Sequence, residues 1–193
     1  MSASEDAQLV AQIKAGDLKA FEALYHKYKG PIFRTALAIT RDQGAAEDVL
    51  QDCFLRVYLH IHKVDGSVPL SPWLHRIAVN LSYNWAAKQR LRWIPLEEVM
   101  DRLRASSPLS PERTAERVEL QQIVQEAINS LDFKQRVVLI LFYLQGFSLA
   151  EIAYILDCPV GTVKSRLHYG RENLRRKLQR DERLSGELAY EFT

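Results

Sequence analysis

A cluster of cationic side chains near the end of the chain offers the clearest binding chemistry in this sequence. Between Gly161 and Arg180, seven residues are basic and only Glu172 is acidic. Lys and Arg bind phosphate oxygens, while polar side chains near a helix start can reach base edges in a DNA major groove. The spacing predicts Lys164, Ser165, His168 and Tyr169 as base readers, with Arg166, Arg171 and Arg175 as phosphate anchors.

Two short helices are needed to position this cluster. Ser148 and Glu151 have the spacing of a capping box, which predicts that a helix begins at Leu149. The turn Asp157-Cys158-Pro159 follows, and Pro159 suits the first position of a second helix. The apolar stripe of that second helix is Val160, Val163, Leu167, Leu174 and Leu178, with Gly170 at its edge allowing a close approach. The pattern indicates a helix-turn-helix with a basic outer face, although a solvated cationic helix end would also be rich in Lys and Arg.

Composition limits the possible classes of protein. A chain of 193 residues with 47% hydrophobic residues suits one or two folded domains, and a net charge of only +2 means that the basic character is local. The two cysteines fit neither a metal pattern nor a disulfide framework. The acidic N-terminus does not resemble a signal peptide, and the longest apolar run is shorter than the roughly 20 residues of a membrane helix. We therefore expect a cytoplasmic protein without membrane insertion.

A second candidate surface lies on a helix predicted from about Ala45 to His62. Its core stripe is Ala46, Val49, Leu50, Cys53, Val57 and Ile61. The opposite side carries Asp48, Asp52, Leu55 and Leu59. Leucines beside acids on an outward face are typical of a protein-docking surface. The alternative is a helix that is buried on both sides.

A third candidate surface lies on a long helix predicted from Ser71 to about Arg92. Arg76, Asn80 and Asn84 recur every four residues, with Tyr83 adjacent. Asn carries a donor and an acceptor that can match a base edge, and Tyr can stack on an unpaired base. A solvated helix face would give a similar pattern.

The remaining segments also favour helices, and we find no alternating strand pattern. Asp17 is predicted to cap a second helix, and Gly30-Pro31 to open a separate third one. Helical periodicity is lost between Trp93 and Pro111, which predicts a linker, and two more helices should precede the helix-turn-helix. The predicted fold class is all-α, with two helical domains joined by an irregular linker.

Taken together, the motifs resemble those of the bacterial extracytoplasmic-function (ECF) sigma factors of the sigma-70 family. The resemblance is carried by AGDLKAFEALYHKY, AEDVLQDCFLRVY, PWLHRIAVNLSYNW and LDFKQRVVLILFYLQGFSLAEIAYILDCPVGTVKSRLHYGRENL, in this order. It implies a sigma-2 domain at 5–92, a linker at 93–112 and a sigma-4 domain at 113–181. The partners implied are core RNA polymerase, promoter DNA and an anti-sigma factor.

The resemblance also assigns roles to individual positions. Asp48, Gln51, Asp52, Phe54 and Leu55 match or adjoin the segment that docks on the polymerase clamp. Arg76, Asn80, Tyr83 and Asn84 fall on the face for the minus-ten promoter element. Lys164, Ser165, Arg166, His168, Tyr169 and Arg171 fall on the helix for the minus-thirty-five element. The loop from His62 to Ser71 matches the one that captures a flipped base, but it has Val64, Val68 and Leu70 and no aromatic residue.

The implied activity is binding, with no enzyme chemistry, cofactor or metal. His60 and His62 lack the partner spacing of a zinc site, and no nucleophile or phosphate-loop signature occurs. Two alternatives are a sigma-like decoy that sequesters an anti-sigma factor and a stand-alone regulator with a helix-turn-helix. A decoy does not need the seven basic residues, and a stand-alone regulator leaves the Asp48 surface unexplained.

Overall fold

The computed structural model of the protein describes residues 3–64, 69–91, 123–124 and 126–181. These residues form helices and connecting turns with no strand, which confirms the predicted all-α class. The first domain contains α1 (Ala3–Lys14), α2 (Leu18–Thr40), α3 (Gln43–His60), a 3-10 turn (Ile61–Lys63) and α4 (Leu70–Leu91). The second contains helical residues at 123–124 and 126–129, α5 (Phe133–Leu139), a π-helical segment (Ile140–Leu144), α6 (Leu149–Leu156) and α7 (Val160–Gln179).

The first domain is built on mutual packing of α2, α3 and α4, with α1 lying against α2. The predicted core stripe of α3 is confirmed, because Ala46, Val49, Cys53 and Val57 are buried and Leu50 packs against them. Burial raises the pKa of the Cys53 thiol to about 12, so this thiol stays protonated. The stripe therefore leaves the opposite side of α3 free for contacts outside this core.

Gly30-Pro31 does not start a new helix, so this prediction was wrong. Asp17 caps α2 as expected, accepting from the Lys19 and Ala20 amides at 2.8 and 3.3 Å, but the helix then continues through Pro31 to Thr40. A proline inside a helix costs about 3 kcal/mol. Burial of the residues on both sides of Pro31 offsets this cost, and Gly30 has no Cβ to clash with the proline ring.

The helix-turn-helix follows the prediction closely. Ser148 Oγ accepts from the Glu151 amide at 3.3 Å while the Glu151 carboxylate accepts from the Ser148 amide at 2.8 Å, which completes the capping box. Asp157 ends α6 in the left-handed region at φ 51°. A Cβ on Gly170 would lie 3.2 Å from Leu139 Cδ1, so α7 and α5 make the predicted close approach.

The start of α7 differs from the prediction at two positions. Pro159 is the N-cap rather than the first helical residue, and α7 begins at Val160. Val160 was assigned to the core stripe, but it is 39% exposed. Side chains point back towards a helix's N-terminus, so the first residue of α7 projects past the helix start instead of packing on α6.

Replacing Ser148 by Ala should lower the free energy of unfolding by about 1 kcal/mol, because the Glu151 amide loses its acceptor. Urea denaturation of the full chain measures this loss. Ser148→Thr is the matched control, since Thr keeps the hydroxyl and is also a good N-cap, so it should retain most of the stability. Equal destabilisation by both variants would contradict the capping role.

Parts of the prediction fall outside the described residues: the centre of the loop at 65–68, the linker at 93–112 and the start of the following domain at 113–122. The chain from 182 onwards also lies outside them. The ends of the loop are described. Val64 and Leu70 are buried in the first-domain core, and the Lys14 ammonium donates to the Val64 carbonyl. These two side chains are therefore not available to line a base-binding pocket.

The two domains share a second apolar core. Ile39 and Val79 of the first domain are buried together with Leu141, Ile152 and Val163 of the second. Helix α4 packs against α6, and it buries His75, Val79 and Ser82 in addition to Leu74, Ala78 and Leu81, which lie in the first-domain core. This second buried stripe was not predicted from the sequence.

Candidate nucleic-acid and protein interfaces

The outer face of α7 is exposed over its first half. Lys164, Ser165 and His168 are exposed, and the Tyr169 side chain is 57% exposed. The rings of His168 and Tyr169 meet edge to face with centroids 5.3 Å apart, and Ser165 Oγ donates to the Thr162 carbonyl at 3.0 Å. The predicted base readers are thus brought together on one accessible helix face.

The predicted phosphate anchors on α7 differ in their surroundings. Arg166 is half-buried, with Nη1 3.9 Å from Cys158 Sγ in the turn. The Arg171 guanidinium lies 5.4 Å from the ring centroids of both Phe142 and Tyr143. Arg175 is exposed. Arg166 and Arg171 can therefore brace α7 against its neighbours, in addition to any contact with phosphate.

The outward side of α3 combines exposed acids with exposed apolar side chains. Asp48, Gln51 and Asp52 are exposed, while Leu55 and Leu59 are 56% and 59% exposed. Within the part of the chain that the structure describes, this exposure favours a docking surface over the alternative of a helix buried on both sides.

Beside these residues lies an open groove of about 630 Å³ between α2 and α3. Phe54 is 5% exposed and forms part of its wall, with its ring centroid 4.8 Å from that of Tyr25. The groove also contacts Phe21 and Tyr58. Phe54 can therefore contact a partner only through this groove.

Sequence reasoning missed two exposed apolar residues next to this surface. Tyr58 is 49% exposed, and Leu18 at the start of α2 is 66% exposed. Both border a smaller cavity of about 280 Å³ that also includes Leu59. The exposure of Tyr58 could have been predicted, because Tyr58 lies three residues after Leu55 and therefore on the same side of α3. Nothing in the helical pattern predicts the exposure of Leu18.

The candidate minus-ten face of α4 is divided by the fold. Asn80 and Asn84 are exposed. Arg76 donates to the Tyr154 carbonyl at 2.8 Å and pairs with the Asp157 carboxylate at 3.2 Å, and its guanidinium lies 5.1 Å from the Tyr154 ring centroid. Tyr83 packs edge to face on Phe133, with centroids 4.8 Å apart. In this arrangement the second domain occupies Arg76 and Tyr83 and leaves the two asparagines accessible.

Comparison with known proteins identifies the family of this chain. Residues 24–92 match the family model for sigma-70 region 2, and residues 121–174 match that for sigma-70 region 4. The chain is 35% identical over 177 residues to the ECF RNA polymerase sigma factor SigW of Bacillus subtilis (strain 168), with 88% of this chain and 95% of SigW covered. The chain belongs to the ECF sigma factors of the sigma-70 family. It is a transcription initiation factor and not an enzyme.

Two solved structures resemble this sigma factor over most of its length. CnrH in complex with the cytosolic domain of CnrY gives a TM-score of 0.69 at 25% identity, covering 92% of this chain and 99% of that one. The sigma factor RpoE in complex with the anti-sigma factor NepR, from Bartonella quintana, gives a TM-score of 0.66 at 25% identity, covering 86% of this chain and 100% of that one.

Two buried titratable groups of the sigma factor lie where its domains meet. Burial lowers the pKa of His75, whose Nδ1 donates to the Ser71 carbonyl at 2.8 Å and whose ring packs on Phe147 at a centroid distance of 4.7 Å. Burial also raises the pKa of Tyr83. Both shifts favour the neutral form, so near neutral pH this contact between the domains is apolar and uncharged at these two rings.

The described part of the sigma factor contains neither a candidate metal site nor a candidate membrane-spanning helix. No group of three or more His, Cys, Asp or Glu side chains there could hold a metal ion. None of the described helices is long and apolar enough to span a membrane.

Proposed function

We propose that this sigma factor binds its partners through three exposed faces. Core polymerase binds to α3, the minus-ten element to α4 and the minus-thirty-five element to α7. The observation that carries the proposal is the chemical difference between them: acids with leucines on α3, amides on α4, and bases on α7. The corresponding domains are 5–92 and 113–181, with 93–112 as the tether between them.

The α3 face suits a partner that is both basic and apolar. Asp48 and Asp52 supply negative charge, Leu55 supplies exposed apolar area, and Phe54 and Gln51 border the groove beside them. Exposed apolar side chains ringed by charges favour a specific protein contact over solvent. The clamp of core polymerase is the proposed occupant, in agreement with the family resemblance of this segment.

The α4 face is proposed to act in promoter opening. The Asn80 and Asn84 amides can match donors and acceptors on the upstream edge of the minus-ten element. Opening itself is a binding process, because capture of an unstacked base offsets an unpairing cost of a few kcal/mol. No bond is broken, and no catalytic residue is required.

The α7 face is proposed to read the minus-thirty-five element through Lys164, Ser165, His168 and Tyr169. The width of a major groove accepts one helix, and these side chains lie in the first half of α7, where base contacts are made in helix-turn-helix proteins. Lys164 cannot make the planar two-pronged contact of Arg with guanine. The preferred upstream sequence should therefore depend on single hydrogen bonds and on the Tyr169 ring.

We further propose an anti-sigma factor as a partner, and the cytoplasm as the location. The likeness to RpoE, solved together with the anti-sigma factor NepR, supports the partner. The location follows from the proposed work on core polymerase and promoter DNA.

Run-off transcription with purified core polymerase over a randomised promoter library tests the function as a whole. We expect the chain to select templates that share two separated elements. The proposal is wrong if the purified chain, with no inhibitor present, does not bind core polymerase or does not start transcription on any template.

On a promoter recovered in this way, Asn80→Ala should reduce open-complex formation by about 5- to 150-fold, since one good side chain contact to a base is worth about 1–3 kcal/mol. Binding to the upstream element should change little. Permanganate footprinting measures opening, and gel shift with holoenzyme measures binding. Gln43→Ala removes an exposed amide at the start of α3 and is the matched control. An unchanged footprint for Asn80→Ala would refute its role.

A further inference from the structure

The loop that follows α3 is attached to the first-domain core on both sides of its centre. Val64 is 9% exposed and Leu70 is 4% exposed, and both side chains pack in this core. Only five residues separate them in the sequence. In so short a segment, a change in backbone direction at Val64 is passed on directly to the residues that follow.

Lys14, the last residue of α1, contacts the backbone at this point. Its ammonium group donates a hydrogen bond to the carbonyl oxygen of Val64. The Val64 backbone is extended, with φ −76° and ψ 114°, and its amide donates to the Ile61 carbonyl at 3.1 Å. Both polar backbone groups of Val64 are thus held, the amide by the 3-10 turn and the carbonyl by α1.

The Val64 carbonyl determines the direction of the chain because a peptide unit is planar. Its oxygen lies in one plane with the amide nitrogen and the Cα atom of the next residue. Rotation about the ψ angle of Val64 would turn the carbonyl away from Lys14 and redirect the chain that follows. Burial of the Val64 side chain therefore fixes where this segment starts, whereas the hydrogen bond from Lys14 fixes the direction in which it leaves the core.

Helix α1 is itself well anchored, so Lys14 projects from a fixed support. Towards the start of α1, the Asp6 carboxylate accepts from Lys27 Nζ and from Tyr28 Oη, both at 2.6 Å. Towards its end, Ile13 is buried in the first-domain core. The helix also packs against the 3-10 turn that precedes the loop. It therefore connects α2 to the start of the loop.

A surface lysine that only satisfies a carbonyl is the simpler explanation of this contact. Lys14 is exposed, so a water molecule could replace its ammonium group and the carbonyl would keep a partner. The two explanations differ in what they predict. If the lysine only satisfies the carbonyl, its loss changes stability slightly and leaves DNA recognition as it was. If it directs the loop, its loss changes which base the loop accepts.

We propose that Lys14 is a positioning residue for promoter opening, which sets the path of the base-capturing loop through the Val64 carbonyl. Lys14 contacts no base and acts through the backbone of the loop. The proposal rests on the function proposed above, opening by capture of an unstacked base, and on the family resemblance, which gives this loop the role of holding that base. It adds that a residue of α1, outside both the loop and the α4 face, contributes to the choice of base.

The test measures base discrimination by holoenzyme formed from core polymerase and the full chain. The DNA is a promoter recovered by run-off selection, with its minus-ten segment kept unpaired by mismatches. Discrimination is the ratio of the dissociation constants for a disfavoured and the favoured base, at the position where the unmodified protein discriminates most. Lys14→Met removes the donor and keeps the aliphatic stem, while Lys14→Arg keeps a cationic donor. Lys19→Met removes an exposed lysine at the start of α2 and is the control matched in charge.

We expect Lys14→Met to lower the discrimination ratio by about 3- to 10-fold, the effect of losing about one net hydrogen bond. Lys14→Arg should retain most of the discrimination, and Lys19→Met should not change it. Affinity for core polymerase and for the upstream element should be the same for all three variants, because neither lysine lies on the α3 or the α7 face.

Unchanged discrimination by Lys14→Met, or an equal loss for Lys19→Met, would overturn the inference, because the lysine would then act only through stability or through charge. A circular dichroism melt checks folding, and Lys14→Ala, which removes the same donor, carries the test if Lys14→Met does not fold.

Discrimination by the unmodified holoenzyme is measured first, so that the two proposals can fail separately. If it is absent at every position of the minus-ten segment, base capture is wrong and the inference falls with it. If it is present and insensitive to the loss of the Lys14 ammonium group, only the inference is wrong.

Discussion

Asp52→Lys combined with Leu55→Asp is expected to abolish binding to core RNA polymerase without changing the far-UV circular dichroism spectrum. Both side chains are exposed on α3, so the exchanges should leave the first-domain core intact. The first places a positive charge where a basic partner is expected, and the second removes an exposed apolar anchor. Removal of one hot-spot side chain costs about 2 kcal/mol or more, so the pair should weaken binding by at least about 100-fold.

A pull-down with tagged core enzyme, followed by titration with fluorescently labelled sigma factor, measures this loss. Glu22→Lys with Leu144→Asp makes the same two exchanges at exposed positions outside the groove, where the side chain of Glu22 is 71% exposed and Leu144 is 63% exposed. That control should bind normally. Recovery of core enzyme by the α3 variant at the level of the control would count against the docking surface.

Lys164→Ala and Tyr169→Ala are expected to change which upstream sequences are bound, whereas Arg175→Ala should weaken binding to all sequences equally. Side chains that touch base edges discriminate by about 1–3 kcal/mol, or about 5- to 150-fold, between a correct and an incorrect base. Loss of one phosphate contact instead lowers the salt dependence of binding by about 0.9 in the log–log slope.

Binding selection with holoenzyme on a library randomised in the upstream element measures the preference, and titration at several salt concentrations measures the slope. Gln179→Ala, an exposed change late in the same helix, is the control. Arg171→Ala is a less specific probe, because its guanidinium also lies over Phe142 and Tyr143 and its loss removes packing. A uniform loss of binding for Lys164→Ala, Tyr169→Ala and Arg175→Ala alike would refute this division of roles.

Local sequence signals predicted the second domain well because the interactions that define it are short-range. The capping box joins Ser148 to Glu151, three residues apart, and the turn after α6 is formed by adjacent residues. Gly170 was expected to allow a close approach, and its neighbour across the contact is Leu139. The sequence could identify the need for this approach, but it could not identify the partner residue.

Where long-range packing opposed a local signal, the local prediction failed. Gly30-Pro31 is a typical helix start, but α2 continues through it because burial on both sides outweighs the cost of the proline. The degree of burial of Phe54 did not follow from its place in the predicted docking segment either, since this side chain is buried beside Tyr25 and borders the groove. Both features depend on residues distant in sequence, which helical periodicity does not report.

By itself, the sequence determined the helical class, the basic outer face of α7 and the acidic, leucine-bearing side of α3. These features follow from spacing along single helices, where 3.6 residues per turn fixes which side chains share a face. Only the tertiary structure decided that His75, Val79 and Ser82 form a second buried stripe on α4, and that Arg76 and Tyr83 are held by the second domain. The physical reason is that the sequence of a helix fixes the relative directions of its side chains, whereas the element packed against each face is chosen by contacts between distant segments.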